Sequence, residues 1–341
     1  MKIDFLCFDG SPLGCSLKDL WGEGRRGIGT GGSEYLMLTL CEEWHKAHHE
    51  VVLYNNPLMT DGSPFEQRSI GSFDPNADRD VLIVFRTPNP YSLVAKGLKV
   101  WLSCDQATIG DFRSFAGTVH KIVCISPRHA EYFAQNYGIT NTNVIDIPVR
   151  MHDFDTIGEA DKVENRLIFT SVPARGLDEL FKVYPIIQQA IPKVSLAITS
   201  DYRLWGCGAG NEMFRNRWAG TSNVQFFGAL PREKYIIELL KADILLYPSV
   251  YDELFCVSVA ESQYAGAYPI TSSSGALPTT NMGMVLAETP PHRIYADRTI
   301  ELLRNRDELK RLQDEVKQKA LERFSPERIL KQWDELIFKG G

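Results

Sequence analysis

Short apolar runs, rich in β-branched residues, alternate along this chain with longer stretches of helical periodicity. Strands that alternate with helices form parallel sheets joined by right-handed crossovers. The pattern therefore predicts an α/β fold built on parallel sheets. The predicted strands are IDFLCF, VVLY, VLIVF, VWLS, KIVCIS and VIDIPV, followed by LIFTSV, VSLAITS, VQFFG, DILLYPS and AYPITS.

The predicted strands fall into two series, separated by a polar segment at residues 149–166. This segment shows neither helical nor strand periodicity and lies near the midpoint of the chain, which is typical of a domain boundary. We therefore expect two Rossmann-like domains, over residues 1–150 and 151–324. Ser325 and Pro326 have the character of a helix cap and first turn, and they begin a closing helix within residues 325–341.

The charge balance argues against some classes of partner. Asp and Glu outnumber Lys and Arg by 43 to 37, which gives a formal net charge of -6. Nucleic acids and anionic membranes need a basic surface, so we expect no nucleic-acid partner, although local cations could still hold a small anion. The sequence shows no apolar stretch long enough for a spanning helix and no signal-peptide pattern. It therefore predicts a cytoplasmic protein with at most peripheral membrane contact.

No metal site is predicted. The seven cysteines lack zinc-site spacing, and we expect them to be reduced and mostly buried. His45, His48 and His49 fall at a predicted helix end without a carboxylate or cysteine companion. Asp78 and Asp80 match a D-x-D metal motif by spacing, but they precede the strand VLIVF, at the end opposite the expected site. We interpret them as a solvated turn.

A glycine-rich segment precedes the first long helical pattern. Gly27, Gly29 and Gly32 formally match G-x-G-x-x-G, but a dinucleotide fingerprint begins directly after the first strand, and here a long segment intervenes. The pattern instead indicates a turn that leads into the helix SEYLMLTLCEEWHKA. The amides of Gly31 and Gly32 can approach an anion closely at that helix end. A plain flexible loop with a helix cap remains the alternative.

Arg175 lies in a predicted turn, between Pro173 and Gly176, after the strand LIFTSV. Ligands of open parallel sheets bind beyond the carboxyl ends of the strands, so this turn is a candidate position. A guanidinium there can donate two hydrogen bonds to phosphate oxygens. The alternative is an exposed arginine that only caps a turn.

Glu253 and Glu261 follow the strand DILLYPS, and the pattern predicts a helix from about Phe255 to Tyr264. A separation of eight residues is a little over two helical turns, so the two carboxylates can face the same site and accept hydrogen bonds from hydroxyl groups. Alternatively, Glu253 only complements the helix dipole and Glu261 is solvated. The start of the helix offers further amides to a phosphate or a hydroxyl, those of Leu254, Phe255 and Cys256.

The order of these segments resembles the family-4 glycosyltransferases, which have the glycosyltransferase B fold. The resemblance spans nearly the whole chain and rests on GTGGSE, HEVVLY, ISPRHAEYF, RGLDEL and FFGALPREKYIIELLKADILLYPSVYDELF. It implies two Rossmann-like domains facing across a cleft, with the acceptor mainly on residues 1–150 and the donor on residues 151–324. The implied reaction moves a sugar from a nucleoside diphosphate, UDP or GDP, to a glycan, lipid-linked or other hydroxyl acceptor. It retains anomeric configuration and uses no metal or other cofactor.

The resemblance also implies roles for individual residues. Glu261 would hold the ribose hydroxyls, and Glu253 would hold a hydroxyl of the transferred sugar. Arg175 stands where the family often has Lys before Gly-Leu, and it would hold the diphosphate. The strand end VWLSCDQ places Asp105 where the family often has a histidine or aspartate near the reacting sugar.

Gly31 and Gly32 would approach the same diphosphate from the first domain. Two departures from the family pattern are visible, since Cys256 replaces the glycine that usually follows Glu-x-Phe, and Asp252 stands where a larger or less charged residue is common. Neither removes a backbone amide. Cys256 adds a side chain beside the donor sugar, which leaves the identity of that sugar open.

Two other functions are compatible with such a chain. One is a nucleotide-sugar-binding module without turnover. The other is an NAD-dependent oxidoreductase or epimerase, which the misplaced glycine motif and the lack of a convincing Tyr-x-x-x-Lys pair disfavour. Because the implied site draws on both domains, we expect the enzyme to close on binding, with a hinge between Asp153 and Asn165. The fold resemblance also implies that the last helix returns to the first domain, anchored by Trp333.

Overall fold

The structure, a computed structural model, describes residues 1–9, 13–58, 62–207, 211–287 and 292–338. The chain divides into two compact units. The first unit comprises Met1–Arg26, Thr30–Pro148 and Pro326–Gly341, and the second comprises Gly27–Gly29 and Val149–Ser325.

The first unit contains a parallel sheet with strand order β3-β2-β1-β4-β5-β6-β7. Strand β4 is buried along its whole length, because helices cover both faces of a parallel sheet and a continuous apolar run such as VLIVF suits such a position. The strands are β1 Lys2–Cys7, β2 Glu50–Tyr54, β3 Glu66–Arg68, β4 Val81–Phe85, β5 Leu98–Leu102, β6 Lys121–Cys124 and β7 Thr142–Val144.

Aromatic packing joins this sheet to its helices. Trp101 of β5 is fully buried, and the rings of Phe112, Phe115 and Phe133 surround it with centroid distances of 4.9, 5.2 and 5.4 Å. Large buried aromatic groups of this kind dominate core energetics. The helices of this part of the chain are α1 Leu17–Trp21, α2 Gly32–Lys46, α3 Phe112–Ala116 and α4 Pro127–Tyr137.

The second unit contains a parallel sheet with strand order β10-β9-β8-β11-β12-β13. Its central strands β8 and β11 are buried along their length. The strands are β8 Arg166–Phe169, β9 Ser195–Ile198, β10 Val224–Phe226, β11 Ile244–Tyr247, β12 Tyr268–Ser272 and β13 Met284–Leu286. The helices are α5 Met151–Ile157, α6 Leu177–Ala190, α7 Asn211–Trp218, α8 Arg232–Lys241, α9 Val257–Tyr264, α10 Leu277–Thr280, α11 His292–Arg304 and α12 Arg306–Phe324.

The last helix, α13 Pro326–Phe338, belongs to the first unit although it follows the second in sequence. Its Trp333 is 1% exposed and packs edge-on against Trp44 of α2, with ring centroids 5.3 Å apart. The chain therefore passes from the first unit to the second and back again.

Two parallel sheets with helices confirm the predicted α/β fold with two Rossmann-like parts. Some predicted elements were wrong. The run VIDIPV is not a strand, since β7 ends at Val144. The segment at residues 149–166 was predicted to lack periodicity, but it contains α5. This helix was missed because its apolar face is short and because a charged residue, Asp153, is buried with that face. Strands β3 and β13, of three residues each, were missed, and the residues of β3, EQR, are all polar.

Two further sequence expectations concern cysteines and membrane spans. All seven cysteines are free, and four of them are buried, whereas Cys207 is exposed and Cys104 and Cys256 are half-buried. Among the described residues, no helix is long and apolar enough to cross a membrane.

Candidate functional site

Arg175 and Glu253 meet beyond the carboxyl ends of β8 and β11, neighbouring strands of the second sheet. Nη1 of Arg175 lies 3.2 Å from Oε2 and 3.4 Å from Oε1 of Glu253. Glu253 is buried and Arg175 is half-buried. Nε of Arg175 is buried and makes no hydrogen bond to any residue that the structure describes. A buried, unmatched donor on a cation is costly, so this guanidinium has capacity for an anion.

Tyr247 and Tyr251 fix the geometry of this pair. The Tyr247 hydroxyl donates to Oε1 of Glu253 at 2.6 Å, and the Tyr251 ring lies 4.2 Å from the guanidinium carbon of Arg175. Burial raises the pKa of the Tyr247 hydroxyl, and the Glu253 carboxylate raises it further, so Tyr247 remains a donor. Burial alone would lower the pKa of Arg175, but Glu253, with smaller contributions from neighbours such as Tyr247, raises it above its usual value, so the guanidinium stays charged.

Gly176 brings the Arg175 turn against the loop that follows β11. The residue has φ 121°, and a Cβ atom there would lie 3.0 Å from Cα of Ser249. Only glycine tolerates both the backbone conformation and the close approach. Gly176 therefore permits the contact between the two loops, and through it the pairing of Arg175 with Glu253.

The helix after Glu253 begins later than predicted. Helix α9 starts at Val257, not at Phe255, because Cys256 adopts a left-handed backbone conformation with φ 78°. The amides of Leu254, Phe255 and Cys256 therefore precede the first turn of the helix. Phe255 is instead a core residue, whose ring packs edge-on against Phe324 at 5.6 Å.

The positive φ of Cys256 shows why a glycine is usual at this position in the family pattern. A glycine adopts this conformation without strain, whereas a cysteine does not. Burial raises the pKa of the Cys256 thiol, and Glu253 adds to this shift, so the side chain is an uncharged thiol. Cys256 is thus a small apolar group beside Glu253.

Glu261 is held by Arg232, a residue that the sequence did not single out. Nη2 of Arg232 lies 2.6 Å from Oε1 of Glu261, and the two residues are 5% and 2% exposed. The alternative of a solvated Glu261 is therefore wrong. Burial raises the pKa of Tyr235, and Glu261 raises it further, which places a third polar group at the same carboxylate.

Arg232 continues into a buried network. Its Nε donates to Oδ2 of Asp153 at 2.7 Å, and Nε of Arg150 donates to the same oxygen at 2.9 Å. Burial alone would raise the pKa of Asp153, but His152 and the two arginines outweigh it and hold the pKa well below its usual value. Buried charges are stable only when they are paired, and here Asp153 and Glu261 balance two guanidinium groups. The network ties α5, α8 and α9 together.

In the first unit, Gly31 caps α2 and Gly32 begins it. A Cβ atom on Gly31 would lie 2.7 Å from Oε2 of Glu34, so glycine leaves room for a buried carboxyl group at the start of the helix. Burial raises the pKa of Glu34, whereas Arg26 and Arg86 lower it. The helix start is therefore closely packed.

Asp105 follows β5 and contacts Arg86, which follows β4. Nε of Arg86 donates to the Asp105 carboxylate, and Nη1 of Arg86 lies 3.1 Å from Oδ2 of Asp9. Sequence reasoning missed Arg86 although it directly follows the strand VLIVF. It missed Arg232 too, where the signal was a cation in the first turn of a helix, a position that the helix dipole disfavours.

The D-x-D segment is engaged with the first strand. Nζ of Lys2 lies 3.1 Å from Oδ2 of Asp78, and the Lys2 amide donates to Asp80 at 2.8 Å. Arg79, between the two aspartates, is buried and donates to Asp4 at 2.6 Å, so the solvated turn expected for residues 78–80 is wrong at its centre. The two aspartates thus have a structural role at the amino-terminal edge of the sheet.

Comparisons with known proteins agree with this architecture. Residues 161–319 match the family described as glycosyl transferases group 1. The chain has the glycosyltransferase B fold. A sucrose-phosphate synthase from Thermosynechococcus elongatus is 14% identical with a TM-score of 0.74, over 99% of this chain and 98% of that chain. A glycosyltransferase from Rickettsia africae gives the same values.

HepE of Anabaena, solved in complex with UDP and glucose, is also similar in structure. It is 15% identical with a TM-score of 0.72, over 99% of this chain and 100% of that chain. No curated protein sequence matches the chain. The family match and the fold together support a glycosyltransferase, which confirms the prediction at this level.

Proposed function

We propose that this protein is a retaining glycosyltransferase that moves a sugar from a nucleoside-diphosphate sugar to a hydroxyl acceptor. The observation that carries the proposal is the Arg175–Glu253 pair, which places an unmatched guanidinium donor beside a buried carboxylate. The pair lies beyond the carboxyl ends of two central strands, inside the segment that matches the transferase family. UDP is the first donor nucleotide to test, because UDP and UDP-glucose are bound by HepE of Anabaena.

The donor groups are assigned as follows. Arg175 binds the diphosphate, Glu253 accepts a hydrogen bond from the transferred sugar, and Glu261 accepts hydrogen bonds from the ribose hydroxyls. The Arg232 ion pair supports the last role, because it fixes the Glu261 side chain in one position. Gly31 and Gly32 remain predicted anion contacts of the first unit, and the amides of Leu254, Phe255 and Cys256 remain predicted donor contacts from the loop before α9.

In the proposed reaction the bond between the anomeric carbon and the phosphate oxygen breaks, and a bond from the acceptor oxygen to that carbon forms on the same face. The acceptor proton passes to the leaving diphosphate. Glu253 is a poor candidate for a covalent nucleophile, because Tyr247 and Arg175 already contact its carboxylate oxygens. Arg175 acts electrostatically on the charge that develops on the diphosphate.

The acceptor side is assigned to the first unit, and Asp105 of that unit is assigned a place near the reacting sugar. The acceptor class is a glycan or another hydroxyl compound. One solved structure of similar fold, the G117R mutant of S. aureus TarM, was obtained in complex with a GlcNAc-glycerol and UDP. It is 15% identical with a TM-score of 0.62, over 76% of this chain and 55% of that chain. A carbohydrate acceptor is consistent with that similarity.

Donor consumption and product stereochemistry test the proposal. Purified protein is incubated in EDTA with UDP-glucose, UDP-N-acetylglucosamine or GDP-mannose, with and without a panel of oligosaccharides. We expect release of one nucleoside diphosphate, and the anomeric proton coupling of the product in NMR should match that of the donor. A product of inverted configuration would contradict retention. Nucleotide binding without product or hydrolysis on any donor would favour the inactive binding module.

A further inference from the structure

We infer that Asp9, Arg86 and Asp105, together with the rings of Phe8 and Tyr91, form a binding site for a neutral sugar, which serves as the acceptor. The inference rests on the proposed function, since it names the acceptor class of that reaction. The inference assigns a ligand specificity to the first unit. The family match covers residues 161–319 and so does not extend to these residues.

The three charged residues lie where an open parallel sheet binds its ligands. Strand β1 has β2 on one side and β4 on the other, so the direction of strand order reverses between β1 and β4. Asp9 follows β1, Arg86 follows β4 and Asp105 follows β5. Ligands of such sheets bind at this reversal, outside the carboxyl ends of the strands.

The charges favour hydroxyl groups over anions. Arg86 contacts both Asp9 and Asp105, so one guanidinium is shared by two carboxylates and the three side chains sum to a net charge of about −1 when all are ionised. An anionic acceptor would therefore be repelled, whereas carboxylate oxygens accept strong hydrogen bonds from neutral hydroxyls. All three side chains remain partly exposed and accessible to a ligand.

The backbone holds this arrangement in place. Arg86 has φ 66°, its amide donates to the Leu102 carbonyl at 2.7 Å, and its carbonyl accepts from Nε1 of Trp101 at 3.1 Å. The carbonyl of Asp105 lies 3.2 Å from Nε2 of His129. Both charged residues are thus anchored to buried groups, as a preorganised binding site requires.

An exposed aromatic pair adjoins the charges. Phe8 is 40% exposed and Tyr91 is 56% exposed, with ring centroids 6.1 Å apart. Phe8 directly precedes Asp9, and Tyr91 follows Arg86 in the same loop. Exposed rings beside a few polar groups are typical of ligand sites, and the C–H face of a sugar can pack on a ring while its hydroxyls reach the carboxylates.

Exposed aliphatic groups also lie nearby. Leu93, Val94 and Ile109 are exposed, and a Cβ atom on Gly110 would lie 3.1 Å from Cβ of Pro88, so the loops after β4 and β5 touch. Such groups alone would suit a lipid surface. The charged triad beside the rings favours a polyhydroxyl ligand, and lipid binding is a separate outcome of the test.

Saturation-transfer NMR with simple glycosides tests the site directly. The probes are methyl α-glucoside, methyl β-galactoside and N-acetylglucosamine, with glucuronate as the anionic comparison, all in the presence of saturating UDP or GDP. We expect at least one neutral sugar to give a signal, a fivefold or greater loss in Tyr91→Ala, and a weaker signal from glucuronate in the wild type. Asp9→Asn should reduce the discrimination against glucuronate.

Leu58→Ala, which removes an exposed apolar side chain elsewhere in the first unit, is the matched control and should leave the sugar signal unchanged. Nucleoside-diphosphate affinity is measured in every variant by calorimetry, and it should stay within twofold of the wild type. If the wild type bound neither UDP nor GDP, the proposed function would be refuted. Normal nucleotide binding with no neutral-sugar signal, or with a signal that Tyr91→Ala leaves intact, would overturn the inference alone. The inference would also be overturned if the wild-type protein bound phosphatidylglycerol vesicles, lost that binding in Tyr91→Ala, and gave no sugar signal.

Discussion

Nη2 of Arg232 lies 2.6 Å from Oε1 of Glu261, and both side chains are almost wholly buried. Glu261 is therefore a fixed carboxylate, not a mobile surface group. It also has a second role, since removing it would take a carboxylate partner from the buried Arg232 guanidinium. Substitutions at Glu261 must be assessed for stability as well as for binding.

Glu261→Gln should weaken binding of the nucleoside diphosphate and of the nucleotide sugar by the same factor, because the ribose is common to both. Loss of a hydrogen bond to a charged group corresponds to about 1.5–3 kcal/mol, or roughly 10-fold to 150-fold in Kd. The effect should appear in KM more than in kcat. Unchanged nucleotide affinity in the folded variant would remove Glu261 from the site.

The same substitution should lower the free energy of unfolding of the second unit. Breaking a buried ion pair by removing one partner costs about 3–5 kcal/mol. The double variant Arg232→Gln/Glu261→Gln should recover part of that stability in urea titrations but none of the nucleotide affinity. Recovery of affinity in the double variant would show that the ribose is held by another group.

Arg175→Ala should lower kcat more than it lowers donor affinity, because the guanidinium acts most strongly on the charge of the leaving diphosphate. Removal of one such donor costs roughly 100-fold or more. Arg217→Ala is the control, since Arg217 is an exposed arginine of the same unit that pairs with Asp178. Steady-state kinetics on both variants test the prediction, and near-normal turnover in Arg175→Ala would make it a turn residue only.

Activity should persist in EDTA. Asp78 and Asp80, the carboxylates with metal-motif spacing, are engaged with Lys2 at the amino-terminal edge of the first sheet. The charge that a divalent cation would supply is assigned to Arg175 instead. Rates measured in EDTA and in added magnesium or manganese should agree within about twofold, and strict dependence on either metal would overturn the metal-free mechanism.

Trp333→Ala should destabilise the first unit. Its ring is buried against Trp44, and truncation of a buried aromatic side chain costs about 3–5 kcal/mol. Hydrogen exchange should show weaker protection of α2 in this variant, and likewise after deletion of residues beyond Ser325. Lys331→Ala, at an exposed position of the same helix, is the control. Undiminished protection of α2 in Trp333→Ala would show that the last helix does not stabilise this unit.

Acid should destabilise the protein through His129. Burial lowers the pKa of this imidazole from 6.5 to about 4, so the folded state keeps it neutral while the unfolded state binds a proton. The stability that neutral His129 contributes is therefore complete above pH 6.5 and is lost as pH falls toward 4, by about 3 kcal/mol in all. In His129→Gln the fall in unfolding free energy over this range should be shallower, and parallel curves would contradict the assignment.

The sequence predicted the parallel sheets because their strands are continuous apolar runs such as VLIVF, which need no knowledge of tertiary contacts. The sequence also placed Arg175 after β8 and Glu253 after β11. In the structure, Nη1 of Arg175 lies 3.2 Å from Oε2 of Glu253. That success follows from a general property of parallel sheets, whose carboxyl ends share one edge.

The partners of these residues were beyond sequence reasoning. Arg232 and Glu261 are 29 positions apart in the sequence. Asp153, the other partner of Arg232, lies in a segment that was not predicted to be helical because it is rich in charged residues. Local periodicity cannot show which charges are buried together, because that depends on how α5, α8 and α9 pack. The late start of α9 was equally hidden, since a left-handed cysteine is an exception to the usual preference for glycine.

Thermal denaturation with a panel of nucleosides and nucleoside diphosphates tests the central claim most directly. A ligand at a hundred times its dissociation constant stabilises the folded state by roughly 2.7 kcal/mol. We predict that one diphosphate, UDP or GDP, raises Tm in the wild type far more than its nucleoside does, and that Arg175→Ala removes most of this difference. If no nucleoside diphosphate raised Tm at millimolar concentration, or if Arg175→Ala responded as the wild type does, the assignment of the donor site would be contradicted.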